Sequence, residues 1–554
     1  MQVFSVFNNQ TNENLTIIIA LLLIVSGAMA QTKQPCSTCL PEGITFETQT
    51  EIDSFSVNYL HCNTIEGSVQ IGGDIPSYNI TNLYGLNPLR YIEGNLYFYA
   101  NLSLKSLSGL DNLEYVGGNL EFFANDSLPN LTGLGNLTEI GGKLEFYYND
   151  FLYSLTGLNN LASIGGDLNV TYTQALVNFY GLNNLTYIGG DLDITGNVSL
   201  TSLEGLENID PASIDTLVIF FNEVLKTCNI ESICDYLAAP GGNVRIRFNG
   251  PGCNSIIDLG MACGDPLPCL PYGDYLLNNQ SDIGNFGIVF PDCSDLDGDM
   301  EISGDSIINL NGLIDVNAVE GNLYISSNYL LSSLAGLNNL ASVGNLLFIY
   351  IDYSLSNLEG LEGLTTVGSL YIFGNDELND LSGLEGLKTI GGELQIGFNA
   401  SLSNIQGLES LTSIDSTLFI ADNGILQSLS GLDNISAGSI TDLKIWGNNL
   451  LSTCNVQSIC EYLAASNGTI LIVGNAPGCN SEEEVQTACE MGFGELDNWA
   501  VGHKDFSQSL YQSDHSCIKF HNSVEELMPD HLQYRRSENI ITPINGITNT
   551  AGHI

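Results

Sequence analysis

Residues 151–174 read FLYSLTGLNNLASIGGDLNVTYTQ, and the same wording returns before and after them. The glycine of the Gly-Leu pair falls at Gly85, Gly109, Gly133, Gly157, Gly181 and Gly205, a strict step of 24. It falls again at Gly312, Gly336, Gly360, Gly383, Gly407 and Gly431, where one step is 23. The shared unit is S-L-x-x-L-x-G-L-x-N-L-x-x-I-G-G-x-L-x-I-x-x-N. A fixed period in this range marks a solenoid, whose units bury their apolar sides only by stacking on one another. Leu and Ile recur mainly at steps of two and three, with no 3.6-residue period held over a helix length. Gly, Asn and Ser between them turn the chain. Each unit is therefore predicted to be a coil of short strands and turns.

Stacked in register, like residues form columns. Leu96, Leu120, Leu144, Leu168, Leu192 and Leu217 make one predicted inward column. Phe98, Phe122, Phe146, Val170, Ile194 and Ile219 make the next, two residues on, the period of a strand with one buried face. Gly-Gly pairs such as Gly117-Gly118 and Gly165-Gly166 are expected to supply, at a tight corner, backbone conformations closed to other residues. Asn101, Asn125, Asn149 and Asn197 are expected to supply turn hydrogen bonds along the stack.

Outward from the repeats come the cysteines, 14 in all and none before residue 31. Cys228, Cys234, Cys253 and Cys263 recur as Cys454, Cys460, Cys479 and Cys489, each displaced by 226 positions. The words around them recur too: CNIESICDYLAA against CNVQSICEYLAA, and PGCNS in both. The chain thus contains an internal duplication. A stacked fold must seal its ends. Residues 228–239 and 454–465, with apolar residues three to four apart, are predicted to be short helices in such caps. The four cysteines of each cap are expected to pair among themselves, in one of three ways that the sequence leaves open. Cys39 with Cys62, and Cys269 with Cys293, would pin the other ends. Cys36 and Cys517 stand outside this scheme. A metal reading of Cys36-Ser37-Thr38-Cys39 lacks a second ligand pair nearby.

The N-terminus carries an apolar run, Ile17 to Val25, then Ala28, Ala30 and a cleavage point before Gln31, the layout of a signal peptide. The preceding segment departs from that layout: it holds Glu13 and no Lys or Arg. No later stretch is long and apolar enough for a transmembrane helix. The chain carries 63 acidic against 13 basic residues, a net charge of -50, which argues against nucleic acid or an anionic membrane as partner.

The expected architecture is mainly β. Residues 1–30 are read as a signal peptide, and 31–264 and 265–490 as two tandem right-handed β-helix or leucine-rich solenoid domains with short helical, disulfide-linked caps. Residues 491–554 form an irregular tail, expected to be poorly ordered and holding five of the six histidines, His503, His515, His521, His531 and His553. Their spacing is too irregular for a metal site. Over residues 36–490 the repeats, cap cysteines and length of each half resemble the receptor L-domain of insulin- and epidermal-growth-factor-type receptors. The repeat wording is also similar to that of tandem L-domain-like surface proteins of Bacteroidota. The resemblance implies a leucine-rich β-helix that binds a protein ligand. It carries over no ligand-contacting residue, and the receptors' cysteine-rich module and kinase are absent.

Catalytic material is scarce. His61 is the only histidine in the solenoid region, so a nucleophile–histidine pair has little to draw on. A β-helix glycosidase needs only acids, but no acid pair breaks the repeat. Asp295-Leu296-Asp297-Gly298-Asp299 follows the start of a calcium loop without its glycine or its twelfth-position Glu, so first-coil structure is the better account. No cofactor or metal is expected. The sequons at Asn79, Asn101, Asn125, Asn184 and Asn434 are explained largely by the repeat.

The outward strand positions are more informative. If Leu96 and Phe98 point in, Tyr97 and Tyr99 point out, and Phe123 and Tyr147 follow on the next coils. The second half offers Tyr324, Phe348, Tyr350, Tyr371 and Phe373. With coils about 4.8 Å apart these rings would make a stripe, and an exposed aromatic stripe marks a binding face. Cross-strand stacking, or burial between the halves, would explain the same rings without a ligand. The expectation is a secreted or cell-surface recognition or adhesion protein, non-catalytic, whose partner is an extracellular protein or carbohydrate. A passive matrix protein is the alternative.

Overall fold

The computed structural model describes residues 37–491, apart from residues 78–79, 272 and 467. The signal segment, Cys36, Cys517, Asn79 and the histidine-bearing tail lie outside the described residues.

Within that range the chain is a leucine-rich-repeat-like solenoid, mainly β. Every strand pairing between coils is parallel. In the first half the first seven coils give a strand to each of two sheets, and the last two give a strand to one. One sheet has nine strands, from Ile44–Phe46 to Val244–Arg247. The other has seven, from Ser37–Cys39 to Tyr187–Ile188. Both predicted columns stand in register: Leu120 pairs Leu96 and Leu144, and Phe122 pairs Phe98 and Phe146. The Phe98, Phe122 and Phe146 rings stack at 4.7 and 5.1 Å inside the core. Leu104, Leu107, Leu110 and Leu113, with their equivalents on later coils, close the remaining side and are wholly buried.

In the second half the two sheets merge into one of 13 strands, because Ser342–Tyr350 and Thr366–Phe373 run straight through the corner. These corners read Val343-Gly344-Asn345-Leu346-Leu347 and Val367-Gly368-Ser369-Leu370, each without the second glycine of I-G-G-x-L. The second of these corners is one residue short, and this is the single 23-residue step.

Glycine acts differently from expectation at the corner. Gly165 and Gly166 do not take up the left-handed region. Gly165 is needed because a Cβ there would lie 2.2 Å from the Gly141 carbonyl of the preceding coil. The left-handed glycine is instead the one before Leu: Gly157 has φ +121°, and a Cβ on it would lie 2.0 Å from Leu131 O.

The recurring asparagines form a buried ladder, at 101, 125, 149, 197, 222 and 249, and again at 328, 375, 399, 423, 448 and 475. Asn149 is representative: its Oδ1 accepts from Asn125 N and Nδ2 at 3.1 and 3.2 Å, and its Nδ2 donates to Phe122 O at 2.8 Å. Burial of Asn101 and Asn125 rules both out as glycan acceptors in the folded chain, whereas Asn184 and Asn434 are exposed.

The cap helices fall where predicted, at Glu231–Ala238 (α2) and Gln457–Ala464 (α5). Four further helices escaped the sequence reading: Gln49–Asn58 (α1), Ile256–Cys263 (α3), Gln280–Val289 (α4) and Glu482–Met491 (α6). The pairing the sequence left open is Cys228–Cys253 with Cys234–Cys263, and Cys454–Cys479 with Cys460–Cys489. Cys234–Cys263 ties α2 to α3, and Cys460–Cys489 ties α5 to α6. Cys39–Cys62 and Cys269–Cys293 are also joined.

Between Arg247 and Tyr275 the strand stack is interrupted, and α3 packs there on α4. Gly260 makes room for Val289, which a Cβ would meet at 2.6 Å. Ser255 Oγ donates to Asp282 Oδ1 at 3.0 Å, and burial pushes the Asp282 carboxyl up to about 6. Arg247 of the first stack reaches Glu301 and Asp274 of the second at 3.2 and 3.6 Å. In the calcium-like segment, Asp299 Oδ1 accepts from Asn322 N and Nδ2, a use internal to the coil corner.

Candidate recognition face

The outward positions of the long sheets carry the aromatic side chains. In the first half Tyr97 and Tyr99 are half-buried and stack at 5.5 Å, Tyr99 meets Phe123 at 5.9 Å, and Phe123 meets Tyr147 at 5.5 Å. Phe123 is 39% exposed. Parallel register sets this row: Tyr99, Phe123 and Tyr147 are partners on successive strands.

A second row lies beside the first and was not foreseen. The residue just before each ladder position takes left-handed backbone, and on several coils it is aromatic. Tyr148 and Tyr172 have φ +54° and +52°, Phe221 and Phe248 +54° and +57°, and Phe398 +58°. The Tyr148 and Tyr172 rings stack at 5.2 Å, those of Phe221 and Phe248 at 5.0 Å, and Tyr148 touches Tyr147 at 4.3 Å. Tyr148 is 43% exposed. On other coils the same position is glycine, at 196, 374, 447 and 474, or a smaller or aliphatic residue, Ala100, Ala124, Ser327, Ile351 and Asp422. A left-handed residue with a Cβ costs about 1–2 kcal/mol relative to its ordinary conformation. The sequence signal is the residue preceding each ladder position, asparagine on most coils and Thr173 after Tyr172.

Polar groups punctuate the rings. Glu121 accepts from Tyr99 Oη at 3.1 Å and Asn119 Nδ2 at 3.0 Å, and pairs with Lys143 at 3.3 Å. Lys143 also holds Glu145 at 2.8 Å. Burial, then the Glu121 charge, pushes the Tyr99 phenol up to about 12, so it is a hydroxyl donor throughout the physiological range. At the far end of this sheet Arg245 lies over the Phe220 ring, 4.5 Å from its centre.

In the second half the predicted rings come together but are covered. Tyr324, Phe348, Tyr350 and Phe373 are only 4, 2, 7 and 1% exposed, and Tyr371 is half-buried. Phe348 stacks on Tyr350 at 5.2 Å and meets Tyr324 and Tyr371 edge-on at 6.4 and 6.3 Å. Phe373 packs on Phe398 and Phe419 at 6.3 and 6.2 Å. These rings cover one another's faces. Tyr371 Oη donates to Glu393.

Among the described residues no group of three or more His, Cys, Asp or Glu is placed to hold a metal ion, and no helix is long and apolar enough to cross a membrane.

No protein-family model matches the sequence, and no curated protein matches it. Among solved structures, that of a TLR13–ssRNA13 complex is similar at a TM-score of 0.36 and 14% identity, over 77% of this chain and 61% of that chain. The match thus spans under two thirds of that protein, and a likeness this distant carries no argument about ligand.

Proposed function

We propose that this chain is a secreted or cell-surface recognition protein. In this reading it consists of two tandem receptor-L-domain-type solenoids, 31–264 and 265–490, of the kind found in Bacteroidota surface proteins. It binds an extracellular protein or carbohydrate, without catalysis, through the aromatic face of the first solenoid. The observation that carries this reading is the second aromatic row. Every ladder coil takes left-handed backbone at this position, and Tyr148 and Tyr172 use it to hold two large stacked rings at the surface, next to Tyr147 and Phe123. Two stacked tyrosines, flanked by Tyr147 and Phe123 and by the carboxylates of Glu121 and Glu145, offer flat apolar area with hydrogen-bonding edges. That combination suits a sugar ring or a protein loop. Six disulfides support an oxidising, extracellular setting. The buried rings of the second half favour a structural role there.

The test is capture of glycan and secreted-protein arrays by the purified chain and by its Tyr148→Gly, Tyr172→Gly double variant. Glycine suits the backbone at both positions, so the variant should fold, with a Tm change of at most about 3 °C. Capture of the ligand found with the wild-type chain should fall at least about tenfold, as for loss of an aromatic anchor. Undiminished capture would remove this face as the site.

A further inference from the structure

One rung of the buried ladder carries an acid. The column 328, 352, 375, 399, 423, 448, 475 is asparagine except at Asp352, which is completely buried. Asp352 fulfils the acceptor half of the rung: its Oδ1 takes Asn328 N and Nδ2 at 2.8 and 3.0 Å. Its own N–H donates to Asn375 Oδ1 at 3.0 Å. The donor half is missing. On the flanking rungs an amide Nδ2 donates to a strand carbonyl, Asn328 to Ile302 O at 2.9 Å and Asn375 to Ile349 O at 3.1 Å. Ile325 pairs with both Ile302 and Ile349, so its carbonyl is the one an amide at 352 would reach. Asp352 Oδ2 takes the place of that amide and has no hydrogen-bond partner.

We propose that Asp352 is a pH-sensitive joint in the second stack: as the neutral acid its Oδ2–H donates to the Ile325 carbonyl and completes the ladder, and on ionising it breaks the rung. An ionised Asp352 leaves Ile325 O without a donor and an unpartnered carboxylate oxygen inside a fully buried column. Among the described residues no cationic group contributes to holding it ionised. The titratable groups around it are Tyr350 and Tyr353 on its own coil, Tyr329 on the preceding coil, and exposed Asp376 and Glu377 on the next. Burial dominates and raises the Asp352 carboxyl to about 7, against the hydrogen bonds from Asn328. The rung also positions surface groups. The exposed Tyr329 and Tyr353 rings, stacked at 5.5 Å, follow Asn328 and Asp352 directly in the chain.

The sign follows from proton binding. Between about pH 4 and pH 7 the folded chain holds a proton on Asp352 that the unfolded chain has released, so its stabilisation falls as pH rises through that window and is flat above it. The experiment is thermal unfolding of the full chain and of Asp352→Asn from pH 4 to pH 8. Asparagine supplies the missing donor without titrating, so the variant's Tm advantage should widen steadily from pH 4 to pH 7 and then level. A Tm difference independent of pH would overturn the proposal. Should the variant fail to fold, amide exchange in the wild-type chain decides. Protection at Asn328 and Asp352, corrected for intrinsic exchange, should fall between pH 5 and pH 8 relative to Asn423 and Asn448. Equal pH dependence at all four would likewise overturn it.

Discussion

Gly157→Ala should destabilise the first stack by about 4 kcal/mol, an effect expected equally at its counterparts Gly109, Gly336 and Gly360. Two costs combine. A φ of +121° strains any residue with a Cβ, and the added carbon would sit 2.0 Å from Leu131 O and 2.2 Å from its carbonyl carbon. The obstacle is backbone of the preceding coil, which is itself hydrogen-bonded to the coil before it, so no side-chain rotation relieves the contact. Gly264→Ala separates the two costs. Gly264 has φ +89° but open space where its Cβ would go. Its substitution should therefore lose only the strain, about 1–2 kcal/mol. Denaturant unfolding of both variants measures the difference. Equal losses would mean that close approach of the coils contributes nothing, contrary to the geometry.

Asn399→Ala should cost about 3–5 kcal/mol by stranding three buried groups at roughly 1–3 kcal/mol each, less what relaxation recovers. Asn375 N and Nδ2 would lose the Oδ1 they donate to at 3.0 and 3.3 Å, and Ile372 O would lose the Nδ2 at 3.0 Å. The reverse change is available on the first stack, where Thr173 interrupts the ladder and its Oγ1 has no partner. Thr173→Asn should raise stability by about 1 kcal/mol, by offering Asn149 an acceptor and the strand carbonyl a donor. Denaturant midpoints of the two variants should move in opposite directions. A neutral Asn399→Ala would show that the column is decoration on a fold held by its leucines alone.

Both expectations concern positions whose recurrence was plain in the sequence and whose physical role was not. Gly157 is visible as the fixed mark of the repeat, but spacing alone points to the Gly-Gly corner as the place of special backbone. Sequence spacing shows where glycine recurs; whether φ or a neighbouring coil requires it depends on coordinates. The aromatic stripe divides in the same way. Alternation placed Tyr97, Tyr99, Phe123 and Tyr147 outward together with Tyr324, Phe348, Tyr350, Tyr371 and Phe373, because strand period alone sets the face. Alternation does not say what lies over a face, and the second-half rings cover one another while Phe123 and Tyr148 meet solvent.

The sequence by itself determined the coil, its period, the inward columns and the cap cysteines. Each of these follows from a local pattern repeated until chance is excluded, and a stacked fold converts sequence period directly into spatial neighbours. Only the tertiary structure decided the disulfide pairing within each cap, the left-handed row of Tyr148 and Tyr172, the merging of two sheets at Gly344 and Gly368, and the isolation of Asp352. Those depend on how closely one coil approaches the next, and on whether water reaches a group, which are distances across the stack that no single repeat encodes.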